Sequence, residues 1–221
     1  MNTLNINNQL IEASEDGDLS QVKSLIIKGV DIHVWDEGAL RSAARGGHLE
    51  VVKYLVEKCA ADVRTKDDHA LLLAARGGHL EVVKYLVEDH DANVHAWDDH
   101  ALLWSALKGH IEVVKYLVED CGANVRTKDD HALHWAAYNR QLEVVKYLVQ
   151  KCGADVRTKD DWELRRAAYN RQLEVVKYLK SYIVLQFTKK HIDKQNLRYV
   201  FQQYELPFDI QQLISSYVYP V

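Results

Sequence analysis

Long apolar runs and an excess of positive charge are both absent from this chain. Its 221 residues carry a net charge of −4, which gives no electrostatic reason to expect binding to nucleic acid. No apolar stretch approaches the ~18 residues that a membrane-spanning helix needs. The N-terminus has acidic side chains where a signal peptide would have basic and apolar ones. We therefore expect a protein of the cytosol or nucleus, with no membrane and no nucleic acid as its partner.

Cysteine is scarce as well. The three cysteines, Cys59, Cys121 and Cys152, lie at equivalent places in a repeated sequence pattern. Stacked helices lie ~8–10 Å apart, whereas a disulfide needs Cα atoms within ~7 Å. The spacing predicts three free thiols.

The chain is rich in internal repetition. The heptapeptide Leu-Glu-Val-Val-Lys-Tyr-Leu, which starts at Leu49, recurs almost unchanged every 31 residues, at Leu80, Ile111, Leu142 and Leu173. A fainter copy starts at Leu19, 30 residues before Leu49. Six units are therefore predicted, and units of this length stack so that each buries its apolar face on its neighbours.

Each unit is expected to hold two short helices. In unit three, Leu71, Ala74 and Ala75 have helical spacing, and this spacing returns from Leu80 after a glycine pair. A polar segment, which we call a finger, then leads to the next unit. A hairpin or an extended loop would fit there.

The repeated motif resembles the ankyrin repeat. The first helix of that family reads Thr-Pro-Leu-His-x-Ala-Ala-x-x-Gly-His; residues 131–137 match its middle and residues 74–79 match its end. The second helix, residues 80–87, and the tail, residues 153–156, match too. The resemblance implies an all-α solenoid of six helix-turn-helix units with short hairpin or loop fingers. It divides the chain into a first repeat (1–36), five further repeats (37–180) and a helical C-terminal extension (181–221).

The chain departs from the family pattern in several places. The Thr-Pro pair is absent, only two Pro occur, and three residues of the usual finger tip are missing. This shortened form is similar to the ankyrin proteins that large DNA viruses encode in many copies.

Two departures predict local strain. Gly122 and Gly153 follow the second helix, where a left-handed residue commonly ends a helix, but units two and three have Ala60 and Asp91 there. In the turn between the helices, glycine is replaced by arginine in units five and six. Asn139 and Asn170, beside those arginines, are expected to take the left-handed conformation, which would re-register the turns.

Catalytic and metal sites are not predicted. His48, His79 and His110 share one repeat position and should lie ~10 Å apart, too far to share a zinc ion. Acid pairs such as Asp67-Asp68 precede the first helix, where they would cap free backbone N–H groups; an acidic ridge for a basic partner is the alternative. There is no phosphate-binding loop. We therefore expect no enzyme, no cofactor and no metal.

Protein binding is the function that the resemblance implies. In ankyrin proteins the partner contacts the finger tips and the residues that flank the Ala-Ala pair, which here are Trp97, Trp104, Leu107, Trp135, Tyr138, Arg166 and Tyr169. Exposed Trp, Tyr and Arg often dominate interface energetics. A merely structural role, half-buried between first helices, is the alternative for Trp104 and Trp135. The tyrosines that every copy repeats, from Tyr54 to Tyr178, are expected to be scaffold. The chain is expected to be a monomer whose protein partner the sequence does not identify.

The tail departs from the repeat after Lys180. Its last helix resembles the first helix of an F-box, through Leu206, Pro207, Ile210, Ile214 and Tyr217. F-box-like tails of viral ankyrin proteins, called PRANC domains, recruit the adaptor of a cullin-RING ubiquitin ligase. The resemblance implies the same docking role for these five residues. The alternative is a cap over the apolar face of the last unit.

Overall fold

The computed structural model describes residues 3–154, 156, 167 and 172–191 of the chain, and within them it contains helices and turns but no strand. The helices are α1 (Thr3–Asp16), α2 (Leu19–Ile27), α3 (Val34–Gly46), α4 (Leu49–Cys59), α5 (Thr65–Gly77), α6 (Leu80–Lys84), α7 (Ala96–Lys108), α8 (Ile111–Glu119), α9 (Thr127–Tyr138), α10 (Leu142–Gln150) and α11 (Leu173–His191). The predicted all-α repeat fold is confirmed. The first helix predicted for unit six lies outside the described residues, apart from Ala167.

Two rows of helices build the array. The first helices of the units, α1, α3, α5, α7 and α9, contact one another in order, and we call them the inner row. The second helices, α2, α4, α6, α8 and α10, form the outer row in the same way. Close packing in the inner row depends on small side chains, since Ala74 and Ala75 are completely buried there. Val83 and Leu86 are equally buried on the outer row, so one continuous core runs between the rows.

A histidine or glutamine ties each unit to the one before it. The side-chain Nε2 of His48 lies 2.7 Å from the carbonyl oxygen of Glu15, and His79 and His110 repeat this contact with Arg45 and Arg76 at 2.8 Å and 3.0 Å. Gln141 and Gln172 donate to the equivalent carbonyls in units four and five. The repeated histidines are therefore structural links between units. Among the described residues, no three His, Cys, Asp or Glu side chains form a group that could hold a metal.

The turn between the helices keeps its register where glycine is lost. Arg140 takes the left-handed conformation itself, with φ of 65°, whereas Asn139 has φ of −99°. The expectation for Asn139 was therefore wrong. The N–H of Gln141 still bonds to the carbonyl of Ala136 at 2.9 Å, as that of His110 bonds to Ser105 at 3.0 Å. These hydrogen bonds determine which residue of the turn must be left-handed. Arg140 occupies that position and adopts the strained conformation. The turn of unit six, with Asn170, lies outside the described residues.

The strain expected after the outer helices is confirmed. Ala60 and Asp91 have φ of 58° and 51°, close to the values at Gly122 and Gly153. In unit three the outer helix also changes its winding, because Tyr85–Asp89 continues α6 as a single π-helical turn. His90 follows that turn and packs edge-on against Tyr85, with ring centres 4.7 Å apart.

The last helix extends beyond the repeat. Helix α11 has 19 residues, against nine in α10, and continues past Lys180 to His191 without a break. None of the helices in the described part of the chain is long and apolar enough to cross a membrane. The F-box-like residues Leu206, Pro207, Ile210, Ile214 and Tyr217 all lie beyond the described residues.

Candidate protein-binding surface

The fingers form tight turns rather than hairpins. Four of them are described, at residues 31–37, 62–68, 93–99 and 124–130, and we number them one to four. Each opens with an Asp or Asn whose side chain accepts the N–H two residues on, as Asp62 does from Arg64 at 2.9 Å. The last three residues of each finger fall within the first turn of the inner-helix ranges given above, but their backbone angles are left-handed and not helical; in finger two these are Lys66, Asp67 and Asp68. Three such residues in succession are costly for L-amino acids, so the fingers need stabilising contacts.

A buried carboxylate provides the first of these contacts. The last acid of each finger is buried and pairs with the residue four positions earlier: Glu37 with His33 at 2.5 Å, Asp68 with Arg64 at 2.7 Å, Asp99 with His95 at 2.7 Å and Asp130 with Arg126 at 2.9 Å. The base therefore alternates between histidine and arginine along the array.

These pairs correct the helix-capping interpretation of the acids. Asp99 also accepts the N–H of Asn124 at 3.2 Å and the hydroxyl of Thr127 at 2.8 Å, both in the next finger. The carboxylates therefore hold their own finger in shape rather than capping the helix that follows, and Asp99 also links its finger to the next. The reason is that the left-handed turn points them back toward the start of the finger.

Exposed carboxylates make a second set of links. Asp36 pairs with Lys66 of the next finger at 2.7 Å, and Asp98 pairs with Lys128 at 3.0 Å. These side chains are about half exposed, and the lysine lowers the pKa of Asp36 by its hydrogen bond and its charge. Finger three has Trp97 where fingers two and four have lysine, and 57% of the surface of Trp97 is exposed. Trp97 therefore projects as the sequence predicted.

The inner row carries a run of half-buried aromatic side chains. Trp104 on α7 is half-buried, and the guanidinium of Arg76 on α5 lies over its ring, 4.7 Å from the ring centre. Such a contact contributes ~0.5–1 kcal/mol when exposed. It holds the indole in place while leaving part of it open to solvent.

The aromatic run continues on the next inner helix. Trp135 and Tyr138 on α9 pack edge-to-face with ring centres 5.5 Å apart, and His134 lies 6.2 Å from Trp135 on the other side. All three are half-buried, as is Leu107 on α7. Leu107 occupies the position of Arg76 in the next unit, and Trp135 occupies the position of Trp104. The described members of the predicted surface thus follow one face of the inner row.

Two members of the surface are seen only in the structure, and two others are not described. Arg166 and Tyr169, in unit six, lie outside the described residues. Arg76 and His134 were missing from the predicted set. A spacing of 28 residues could have revealed Arg76, because residues 28 apart, such as Arg76 and Trp104, repeatedly touch across units.

The tyrosines of the outer row form a scaffold, as predicted. The hydroxyls of Tyr85, Tyr116 and Tyr147 donate to a glutamate of the preceding unit, 28 residues earlier, at 3.3 Å, 3.0 Å and 2.8 Å. Burial raises the pKa of Tyr85 to about 12 and raises the pKa of Tyr116 and Tyr147 as well. Burial likewise raises the pKa of the thiols of Cys59, Cys121 and Cys152, which are free and half-buried. These groups are therefore uncharged near neutral pH.

Comparison with known families agrees with this architecture. Residues 10–98 and 89–160 match the family model described as ankyrin repeats (three copies). No curated protein sequence matches the chain. The helix pairs, the glycine turns and the stacked fingers are thus accompanied by a family match over more than half of the sequence, and the chain belongs to the ankyrin-repeat family.

Proposed function

We propose that this chain is a non-catalytic scaffold that binds another protein on the inner row of units four to six and on the neighbouring fingers. Ankyrin repeats generally mediate contacts between proteins, and stacked repeats present extended surfaces suited to that task. The observation that supports the proposal is the continuous half-buried run of Trp104, Trp135 and Tyr138, with Arg76 packed on Trp104. Residues of these types, anchored but partly open, are typical of interface hot spots.

Because Trp104 and Trp135 are half-buried, a structural role and a role in partner binding are compatible. Part of each side chain packs on the array, and the rest remains exposed to a partner. Removing such a ring should therefore weaken partner binding more than it weakens the fold. Arg166 and Tyr169 are proposed to extend the same surface into unit six.

Affinity capture with the intact chain, followed by mass spectrometry, identifies the partner. Trp135→Ala/Tyr138→Ala should then lower its affinity by tenfold or more, since individual hot spots cost ~2 kcal/mol. Ile27→Ala is the matched control, because Ile27 is 83% exposed but lies on the outer row. Unchanged affinity of the double variant would move the site elsewhere. A loss of helical circular dichroism in that variant would instead show that the two rings belong to the core.

A more specific role, as substrate adaptor of a cullin-RING ubiquitin ligase, is the second proposal. It is supported by the F-box-like sequence around Leu206, Pro207 and Ile210. The intact chain should pull down the ligase adaptor and cullin, and Leu206→Ala/Pro207→Ala/Ile210→Ala should not. Equal recovery with the triple variant, or no recovery with the wild type, would leave the tail as a cap.

A further inference from the structure

Ion pairs in a regular pattern link consecutive fingers. The lysine of one finger reaches back to the exposed aspartate of the finger before it, as Lys66 does to Asp36 and Lys128 to Asp98. In both pairs the lysine follows the aspartate by 30 residues. The fingers are therefore stacked closely enough for a single side chain to bridge them.

This ion pair is absent between fingers two and three. The residue 30 positions after Asp67 is Trp97, so the lysine that would neutralise this carboxylate is missing. Asp67 is exposed and makes no ion pair with any residue that the structure describes, while its neighbour Lys66 is engaged by Asp36. Asp67 and Trp97 line the same narrow cleft, and both side chains are exposed, so they are neighbours at the surface.

We propose that Asp67 and Trp97 bind an arginine side chain of a protein partner. The inference rests on the proposed function in one respect, that the arginine belongs to the bound protein. A guanidinium pairs with a carboxylate and also stacks on an indole face, and Asp67 and Trp97 offer these two groups as neighbours at the surface. The chain itself contains the stacking half of this contact, where Arg76 lies over Trp104.

The groups beside Asp67 and Trp97 leave Asp67 available to a cation. His100 packs edge-on against Trp97, with ring centres 6.4 Å apart. Burial lowers the pKa of His100, so it is neutral at physiological pH. The second acid of the finger, Asp68, is already paired with Arg64, which leaves Asp67 as the carboxylate that the arginine meets.

Trp35 provides a control within the same molecule. It is 56% exposed, has a φ of 57° and occupies the equivalent place in finger one. Its surroundings differ, because Arg41 donates to its carbonyl oxygen and supplies a cation there. The proposal therefore expects arginine at Trp97 and not at Trp35.

The test is a titration of the intact chain with N-acetyl-arginine methylamide, followed by the indole N–H resonances in a nitrogen-15 correlation spectrum. Trp97→Phe and Trp35→Phe assign the two signals. The Trp97 signal should shift saturably and the Trp35 signal should not, while the uncharged isostere N-acetyl-citrulline methylamide should shift neither. Equal shifts at both tryptophans, or equal shifts with citrulline, would overturn the proposal.

Three variants complete the test. Asp67→Asn should weaken arginine binding at least threefold, since exposed charge pairs contribute modestly. Trp97→Lys should abolish binding by restoring the missing lysine, and Asp98→Asn should leave binding unchanged. If Asp67→Asn bound the arginine derivative with the same affinity as the wild type, the proposal would be overturned. Because no partner is used, the result is separate from the capture experiment with Trp135→Ala/Tyr138→Ala.

Discussion

The hydroxyl of Tyr116 donates a hydrogen bond to the carboxylate of Glu88 in the preceding unit, across 3.0 Å. The tyrosine ring itself is almost completely buried, while Lys84 of the same preceding unit lies 5.8 Å from the ring centre. One side chain thus joins two units by packing, by a hydrogen bond and by a contact with a cation. The same arrangement recurs at Tyr85, with Glu57 and Lys53.

Tyr116→Phe should reduce the free energy of unfolding by about 1 kcal/mol, because the packing remains and only the bond to Glu88 is lost. Tyr54→Phe is the matched control, since the residue 28 positions before Tyr54 is Ile26, which offers no acceptor. Both tyrosines contact the thiol five residues on, Cys121 or Cys59, so this contact cancels in the comparison. Urea titrations measure both variants. An equal loss in the two would show that the glutamate contributes nothing.

Gly47→Ala should destabilise the array more than Gly29→Ala does. Both glycines have left-handed φ, of 78° and 83°, so both substitutions incur about 1 kcal/mol of backbone strain. A Cβ at Gly47 would also come within 2.2 Å of the imidazole of His79, whereas Gly29 has open space around it. Displacing His79 breaks its link to Arg45 and should add roughly 1–3 kcal/mol. Thermal or chemical unfolding of the two variants gives the difference, and equal stabilities would contradict the steric argument.

Ala60→Gly should stabilise the array, by up to about 1 kcal/mol, because Ala60 has the left-handed φ of 58° that glycine adopts without strain. The reciprocal change, Gly122→Ala, places the same strain at the equivalent position of unit four, where a Cβ meets no neighbour. It should destabilise by a similar amount. Stability changes of the same sign in both variants would disprove this explanation.

The pair of His33 and Glu37 makes stability depend on pH. The hydrogen bond to Glu37 raises the pKa of His33 above 6.5, and the charges of Glu37, Asp31 and Asp62 act in the same direction. Because the folded pKa is the higher one, this contribution is complete below pH 6.5 and is lost as the pH rises through the folded pKa. The effect should be modest, since His33 is more than half exposed.

His33→Arg copies the base of fingers two and four and should keep the pair charged at all these pH values. Its stability relative to the wild type should therefore increase as the pH rises from about 6 to about 8.5. Burial lowers the pKa of His69 and His110, so their contributions to the pH dependence of stability have the opposite sign. Both proteins contain these histidines, and their contributions therefore cancel in the comparison. A constant difference across the range would refute the role of His33.

The helices were predictable because the repetition reports the same apolar spacing several times. Leu71, Ala74 and Ala75 are buried as their spacing requires, and equivalent residues are buried in the other units. The left-handed finger turns were not predictable from local preferences, because they place Lys66, Asp67 and Asp68 in a conformation that each one alone disfavours. Contacts four residues back and one unit forward stabilise them, and neither kind of contact has a short-range sequence signal.

The candidate surface was predictable in part. The family resemblance selects Trp104, Trp135 and Tyr138, because it gives their positions on the inner helix. It also gives the position of Arg76, directly after the Ala-Ala pair, but not the contact of Arg76 with Trp104, since that contact joins adjacent units and depends on how far one helix is shifted along the next. Likewise, Arg140 is left-handed in place of Asn139 because the hydrogen bonds of the turn outweigh the preference of the single residue.

The links between units repeat from one junction to the next, and this makes the array modular. His79, Tyr85 and Lys66 each supply a donor to the unit or finger before their own, and the acceptors there are carbonyl and carboxylate oxygens. Arg64 and Arg126 donate in the opposite direction, to carbonyl oxygens of the following unit, and this contact recurs as well. Gain or loss of a whole 31-residue segment would leave matched groups at the new junction, whereas insertion of a single residue would not. The array can therefore gain or lose whole units during evolution. A junction with different contacts, such as the one at Trp97, would keep those contacts while its position in the array changes.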